Sequence, residues 1–128
     1  MKKYLTLFLV LSSSFVFAQS ELKINNKKCI PKSGYYLRLQ SVFDDSRCPE
    51  GVTCIWAGEV SATVEVYKDK KLVEEKTATF NSKNKEQNFK WFATYFTKKI
   101  KSIGVVPYPK EGQIVKPKKQ YIQIVFMD

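Results

Sequence analysis

Alternation with a period of two places the tightest limit on what this chain can fold into. Tyr35, Leu37, Leu39, Ser41 and Phe43 alternate with Tyr36, Arg38, Gln40 and Val42. Further on, Trp56, Gly58, Val60, Ala62, Val64 and Val66 alternate with Glu59, Ser61, Thr63 and Glu65. Successive side chains of a strand point to opposite faces, so both runs fit half-buried strands. In this phase Trp56 points inward with the valines, as a plug over the end of the core. Gly58 falls where a close backbone approach or a bulge is expected.

Shorter runs extend the pattern. Strands are expected at 21–25 and 72–80, with Leu72, Ala78 and Phe80 sharing a face, and at 121–127. The last is apolar on both faces at its centre, which suits the middle of a sheet. Residues 88–106 fit two periods. Phe89, Phe92, Ala93, Phe96, Ile100 and Ile103 have helical spacing, whereas Phe89, Trp91, Ala93 and Tyr95 have strand spacing. The density of Thr and aromatic residues and the lack of a cap signal favour strands over 88–93 and 95–106. Turn residues separate these runs: Pro31 and Gly34, the polar stretches 67–71 and 81–88, and Pro107, Pro109, Gly112 and Pro117. About seven short, mostly antiparallel strands predict an all-β fold, a single small β-sandwich or partly open barrel.

The first residues have the form of an export signal. Lys2 and Lys3 precede an apolar stretch made of 4–11 and 15–17, and Val16 and Ala18 occupy the −3 and −1 positions of a cleavage site before Gln19. Ser12, Ser13 and Ser14 interrupt that stretch, which is short of the roughly 20 apolar residues of a membrane-spanning helix. No Cys follows the site, so a lipoprotein is not expected. The reading is a signal peptide at 1–18 and one β-domain at 19–128, secreted or periplasmic, with no stable membrane insertion after cleavage. The mature chain keeps 20 basic and 12 acidic residues, a net charge of +8. That charge suits anionic envelope polymers or lipid head groups. Lysines spread along the sequence, not clustered, favour instead an ordinary solvated surface. No nucleic-acid motif is present, and no nucleic-acid partner is expected.

Three cysteines in an oxidising compartment allow one intramolecular disulfide. Cys48–Cys54 is favoured of the three pairings, because Pro49-Glu50-Gly51 supplies a turn between them. So small a ring contributes only about 2–2.5 kcal/mol by the chain-entropy model, so it shapes a loop more than it holds a domain. Cys29 is left over, buried and inert or free for an intermolecular disulfide.

Chemistry is more constrained by what is missing. The chain has no histidine, which removes Ser-His-Asp and Cys-His catalysis and His-based metal sites. There is no phosphate-binding glycine loop. The Cys48–Cys54 spacing is wider than that of C-x-x-C redox motifs. No enzyme activity, cofactor or metal is expected. The segment richest in functional groups is 44–58, where Asp44, Asp45, Arg47, Glu50 and Trp56 form the candidate binding loop. Asp44, Asp45 and Glu50 could ligate calcium, although their spacing is not that of an EF-hand. The commoner arrangement is Asp45 paired with Arg47. Phe89, Trp91 and Tyr95 could line a glycan strip, but a chain this small needs large side chains in its core.

The segment Asp45-Ser46-Arg47-Cys48-Pro49, then Cys54, Trp56 and Gly58, and far downstream Pro107-Tyr108-Pro109, resembles a group of small, uncharacterised exported bacterial proteins. The resemblance covers most of the mature chain in order and spacing. It implies a β-domain with the first motif between strands and the second ending a later strand, and an exported location; it carries no activity. Cys29 is outside the pattern. The expected function is a non-catalytic binding or envelope-associated module that uses the 44–56 loop toward a protein or envelope component. Two alternatives stand beside it: a protease inhibitor presenting 49–52, and a calcium-dependent binding module.

Overall fold

The computed structural model describes residues 20–27 and 29–127; the export segment expected at 1–18 lies outside them. The elements are β1 (Glu21–Ile24), β2 (Tyr35–Phe43), β3 (Val60–Lys68), β4 (Lys71–Phe80), α1 (Lys85–Ala93), β5 (Ile100–Val106) and β6 (Tyr121–Phe126). They form two three-stranded antiparallel sheets, ordered β1-β6-β5 and β2-β3-β4. The expected small all-β architecture is present, with six strands among the described residues and no closed barrel.

One core lies between the sheets. Val60, Ala62, Val64 and Val66 of β3 face Ile122 and Ile124 of β6, with Ile24, Leu37, Leu39, Val105 and Phe92 around them, all buried. As the apolar centre of 121–127 suggests, β6 is the middle strand of its sheet. The outward residues of β3 are shielded too, because this strand has a neighbour on each side. The Ser61 and Thr79 hydroxyls lie 2.9 Å apart, those of Thr63 and Thr77 3.1 Å apart, and Arg38 donates to Glu65 at 3.3 Å. Cross-strand pairs of this kind satisfy polar groups that neighbouring side chains hide from water.

Three expectations are corrected. Residues 88–93 belong to α1, not to a strand, and the strand expected at 95–106 begins only at Ile100. The helical spacing of Phe89 and Phe92 prevails: Phe92 is fully buried and stacks near Phe80, their rings 6.4 Å apart. The start signal is displaced: Asn84 makes no side-chain cap, and Asn81 Oδ1 instead accepts from the Asn84 N–H at 2.7 Å. Nine residues are too few for a stable isolated helix, so α1 depends on burying this face. The second correction is Trp56, discussed below. The third is Leu72, which does not share a face with Ala78 and Phe80. A bulge between Val66 and Tyr67 shifts the register so that Leu72 pairs with Tyr67, and its side chain is exposed.

Every strand runs between the same two ends of the sandwich. At one end the β3–β4 hairpin turns through Asp69 and Lys70, both at positive φ, and Asp69 accepts from the Gly34 N–H at 2.9 Å. At the other, β2 leaves into the disulfide loop and β5 leaves into 107–120. The nine residues of β3 separate the two ends by roughly 30 Å.

Candidate functional site

The chain between β2 and β3 forms a loop with a tied neck. Ser46 N–H donates to Glu59 O at 2.8 Å, Glu59 N–H donates to Ser46 Oγ at 3.1 Å, and Cys48 N–H donates to Ala57 O at 3.1 Å. Gly58 makes this approach possible. Its φ is +73°, and a Cβ there would lie 1.9 Å from Ser46 O, far inside contact distance. Beyond the neck, Cys48 and Cys54 are disulfide-bonded with their Cα atoms 5.9 Å apart, as expected. Cys29 is free and exposed.

This neck displaces Trp56 from the position that its phase suggests. Continuous alternation from 56 to 66 would require an unbroken strand, but β3 starts only at Val60. Positive φ at Gly58 breaks the alternation and turns the preceding residues outward. Trp56 is 67% exposed and Ile55 is as open as in an extended peptide. Val52, on the far side of the ring, is exposed as well.

Arg47 goes the other way. It donates Nε to Asp45 Oδ1 at 2.9 Å and Nη2 to Asp45 Oδ2 at 2.8 Å, a two-pronged ion pair. Its remaining N–H groups reach the other sheet, at Val105 O (2.5 Å) and Pro107 O (3.4 Å). The guanidinium lies 5.0 Å from the centre of the Tyr108 ring, within cation–π range. Only 9% of the Arg47 side chain is exposed. The hydrogen bonds from Arg47 hold the Asp45 carboxyl below its ordinary pKa, against an opposing effect of partial burial. Next to this strut, Glu50 N–H donates to Pro109 O at 2.9 Å, and Glu111 N–H donates to Glu50 O at 3.3 Å. The two motifs that are far apart in sequence, around Arg47 and around Tyr108, thus pack directly on each other.

Of the five candidate loop residues, the fold sorts two into structure and three into the surface. Asp45 and Arg47 are occupied with one another and with backbone carbonyls. Asp44, Glu50 and Trp56 are exposed. Among the described residues, Asp44, Asp45 and Glu50 are not gathered into a group of three acids able to hold a metal ion. Phe89, Trp91 and Tyr95 are half-buried against the core, not displayed. Trp91 donates Nε1 to Glu74 at 2.9 Å, and Tyr95 O–H donates to the other Glu74 oxygen.

The exposed tip borders concave surface that the sequence did not announce. Trp56, Gly58 and Glu59 line one wall of a cleft of about 290 Å³, and Asn81, Ser82 and Lys83 line the other. Asn81 and Ser82 are also the rim of a second cleft, about 360 Å³, floored by Phe80, Phe89 and Ile103. Asn81 Nδ2 donates to Glu59 Oε2 at 2.8 Å and so ties the walls of the first cleft together. No protein-family model, curated protein or solved structure matches this chain.

Proposed function

We propose that the chain is an exported, non-catalytic binding module that holds a protein or envelope component with the tip of the disulfide loop, Val52, Ile55 and Trp56, and the adjoining cleft. One observation carries this reading. Ile55 and Trp56, two of the three most exposed large apolar side chains among the described residues, sit on a loop that the neck, the disulfide and the Arg47 strut all hold in place. A loop with no binding role has no physical need for a fixed Trp and Ile in water, and preorganisation lowers the cost of association. Burying Ile55 and Trp56 in a partner contributes about 3–6 kcal/mol before that cost, so the contacts of the cleft are needed as well. The inhibitor alternative is less well supported. Glu50 uses both its N–H and C=O internally, which leaves no free backbone edge at that residue for a protease to engage.

The test compares capture from a native envelope extract by wild type and by the double variant Ile55→Ser/Trp56→Ala, with melting temperatures matched. The expected result is a partner recovered by wild type and depleted at least tenfold with the variant. Equal recovery by both would remove the tip from the recognition surface.

A further inference from the structure

The hairpin end of the sandwich gathers lysines that are dispersed in sequence. The β3–β4 turn carries Lys68, Lys70 and Lys71, and the approach to β5 carries Lys98, Lys99 and Lys101. Aromatic contacts join the two groups. Lys68 Nζ lies 5.2 Å from the centre of the Tyr35 ring, and Tyr35 packs edge-on against Tyr95 at 5.4 Å. One residue on, Phe96 packs against Phe126 at 5.5 Å, and Met127 N–H donates to Lys99 O at 2.8 Å. None of the six lysines is in an ion pair among the described residues. Apolar side chains stand exposed between them: Tyr35, Leu72, Val73 and Met127, each more than half open to solvent.

We infer that this end is a peripheral docking surface for an anionic bilayer, distinct from the disulfide tip. Three features select a lipid surface. The first is charge: Lys32, in the bend before Tyr35, makes seven bases here. Against them, among the described residues, stand Glu21, Asp69, Glu74 and Glu75. The disulfide end is closer to balance, with Arg47, Lys83, Lys110, Lys116, Lys118 and Lys119 against Asp44, Asp45, Glu50, Glu59 and Glu111. The second is chemistry: lysines interleaved with Leu, Val, Tyr and Met form the amphipathic pattern that sits at a head-group boundary. A soluble polyanion has no use for the apolar members. The third is polarity of the chain: the apolar residues at 4–17 join the domain through Ser20, whose C=O accepts from Phe126 N–H at this same end. An export segment ahead of Ser20 would therefore meet the domain at its lysine end.

The experiment uses protein exported through its own signal segment. It measures co-sedimentation with vesicles of phosphatidylcholine alone, or with one third phosphatidylglycerol. Binding is expected only with phosphatidylglycerol and is expected to vanish in molar salt, since exposed charges are screened over a few ångströms there. Lys68→Glu/Lys70→Glu/Lys71→Glu is expected to lower the partition coefficient more than about tenfold, given the contribution of each lysine near an anionic surface. Lys98→Glu/Lys99→Glu, on the other sheet, gives the same direction if the first variant fails to fold. Lys110→Glu/Lys116→Glu/Lys118→Glu changes net charge identically at the far end and is expected to leave binding within twofold. Equal loss with that control, no binding to either vesicle, or binding to inorganic polyphosphate without vesicle binding would each overturn the inference. Ile55→Ser/Trp56→Ala is expected to bind vesicles like wild type, so the two surfaces fail or stand separately.

Discussion

Arg47 occupies the point where a single side chain decides the geometry of the loop. Truncation to Ala leaves the more open Asp45 without its partner and the carbonyls of Val105 and Pro107 without a donor, where the Arg47 side chain itself is only 9% exposed. A loss of about 2–4 kcal/mol is expected in urea unfolding. Arg47→Lys should lose most of this as well, because an ammonium cannot supply the fork. The Asp45 carboxyl sets a pH signature. Its folded pKa lies below the ordinary 3.8, so its contribution is complete above that value and disappears as pH falls through the folded value. Wild type should therefore lose stability from about pH 4 downward more steeply than Asp45→Asn does. The pairing of Asp45 with Arg47 was legible, since acid and base two residues apart are local. The carbonyls and the Tyr108 ring were not, because they lie some sixty residues away and only the topology brings them in. Trp56 was misread for a related reason. Alternation was extended through Gly58, a residue whose positive φ ends any strand register.

Among the elements, β2 and β3 followed from period, because a strand with one buried face must alternate; β6 followed from its apolar centre, and β4 was placed although the face expected for it was not the one observed. α1 did not follow. Its sequence supports both periods, its cap comes from Asn81 outside the usual position, and its polar outer residues give no broad apolar stripe. What selects helix is the space beside β4 and β5, into which Phe92 inserts and Asn88 donates to Thr79 O at 2.9 Å. Phe92→Ala is accordingly expected to cost about 3–5 kcal/mol, as for other fully buried aromatic residues, by denaturant titration. The far end of the helix is held by Tyr95, whose O–H donates to Glu74. Burial and that carboxylate push the phenol up to about 12. A raised pKa means stability is complete below the ordinary tyrosine value near 10 and is lost as pH rises toward about 12. Tyr95→Phe should flatten the alkaline limb of stability measured over that window.

At the scale of the molecule, the sequence supplied the class, a small sandwich with one core, but not its polarity. Which lysines share an end depends on which strands are neighbours, and that information is absent from any local window. Dispersal along the chain pointed to uniform solvation, whereas antiparallel connections return the chain to the same two ends again and again. The redox state is a property of this same scale. Exported protein should show one reactive thiol, Cys29, and two more only after reduction, when counted by thiol alkylation and mass measurement. Reduction should lower stability by about 2 kcal/mol without unfolding the domain, since the two sheets retain their core.

The Arg47 strut also has a mechanical meaning. A partner pulling on Trp56 would load a loop rooted in one sheet and riveted to the other, at Val105, Pro107 and, through Glu50, Pro109. Force would be divided across both layers in place of peeling a single strand from its edge, so the grip at the tip can outlast tugging that would strip an unbraced hairpin.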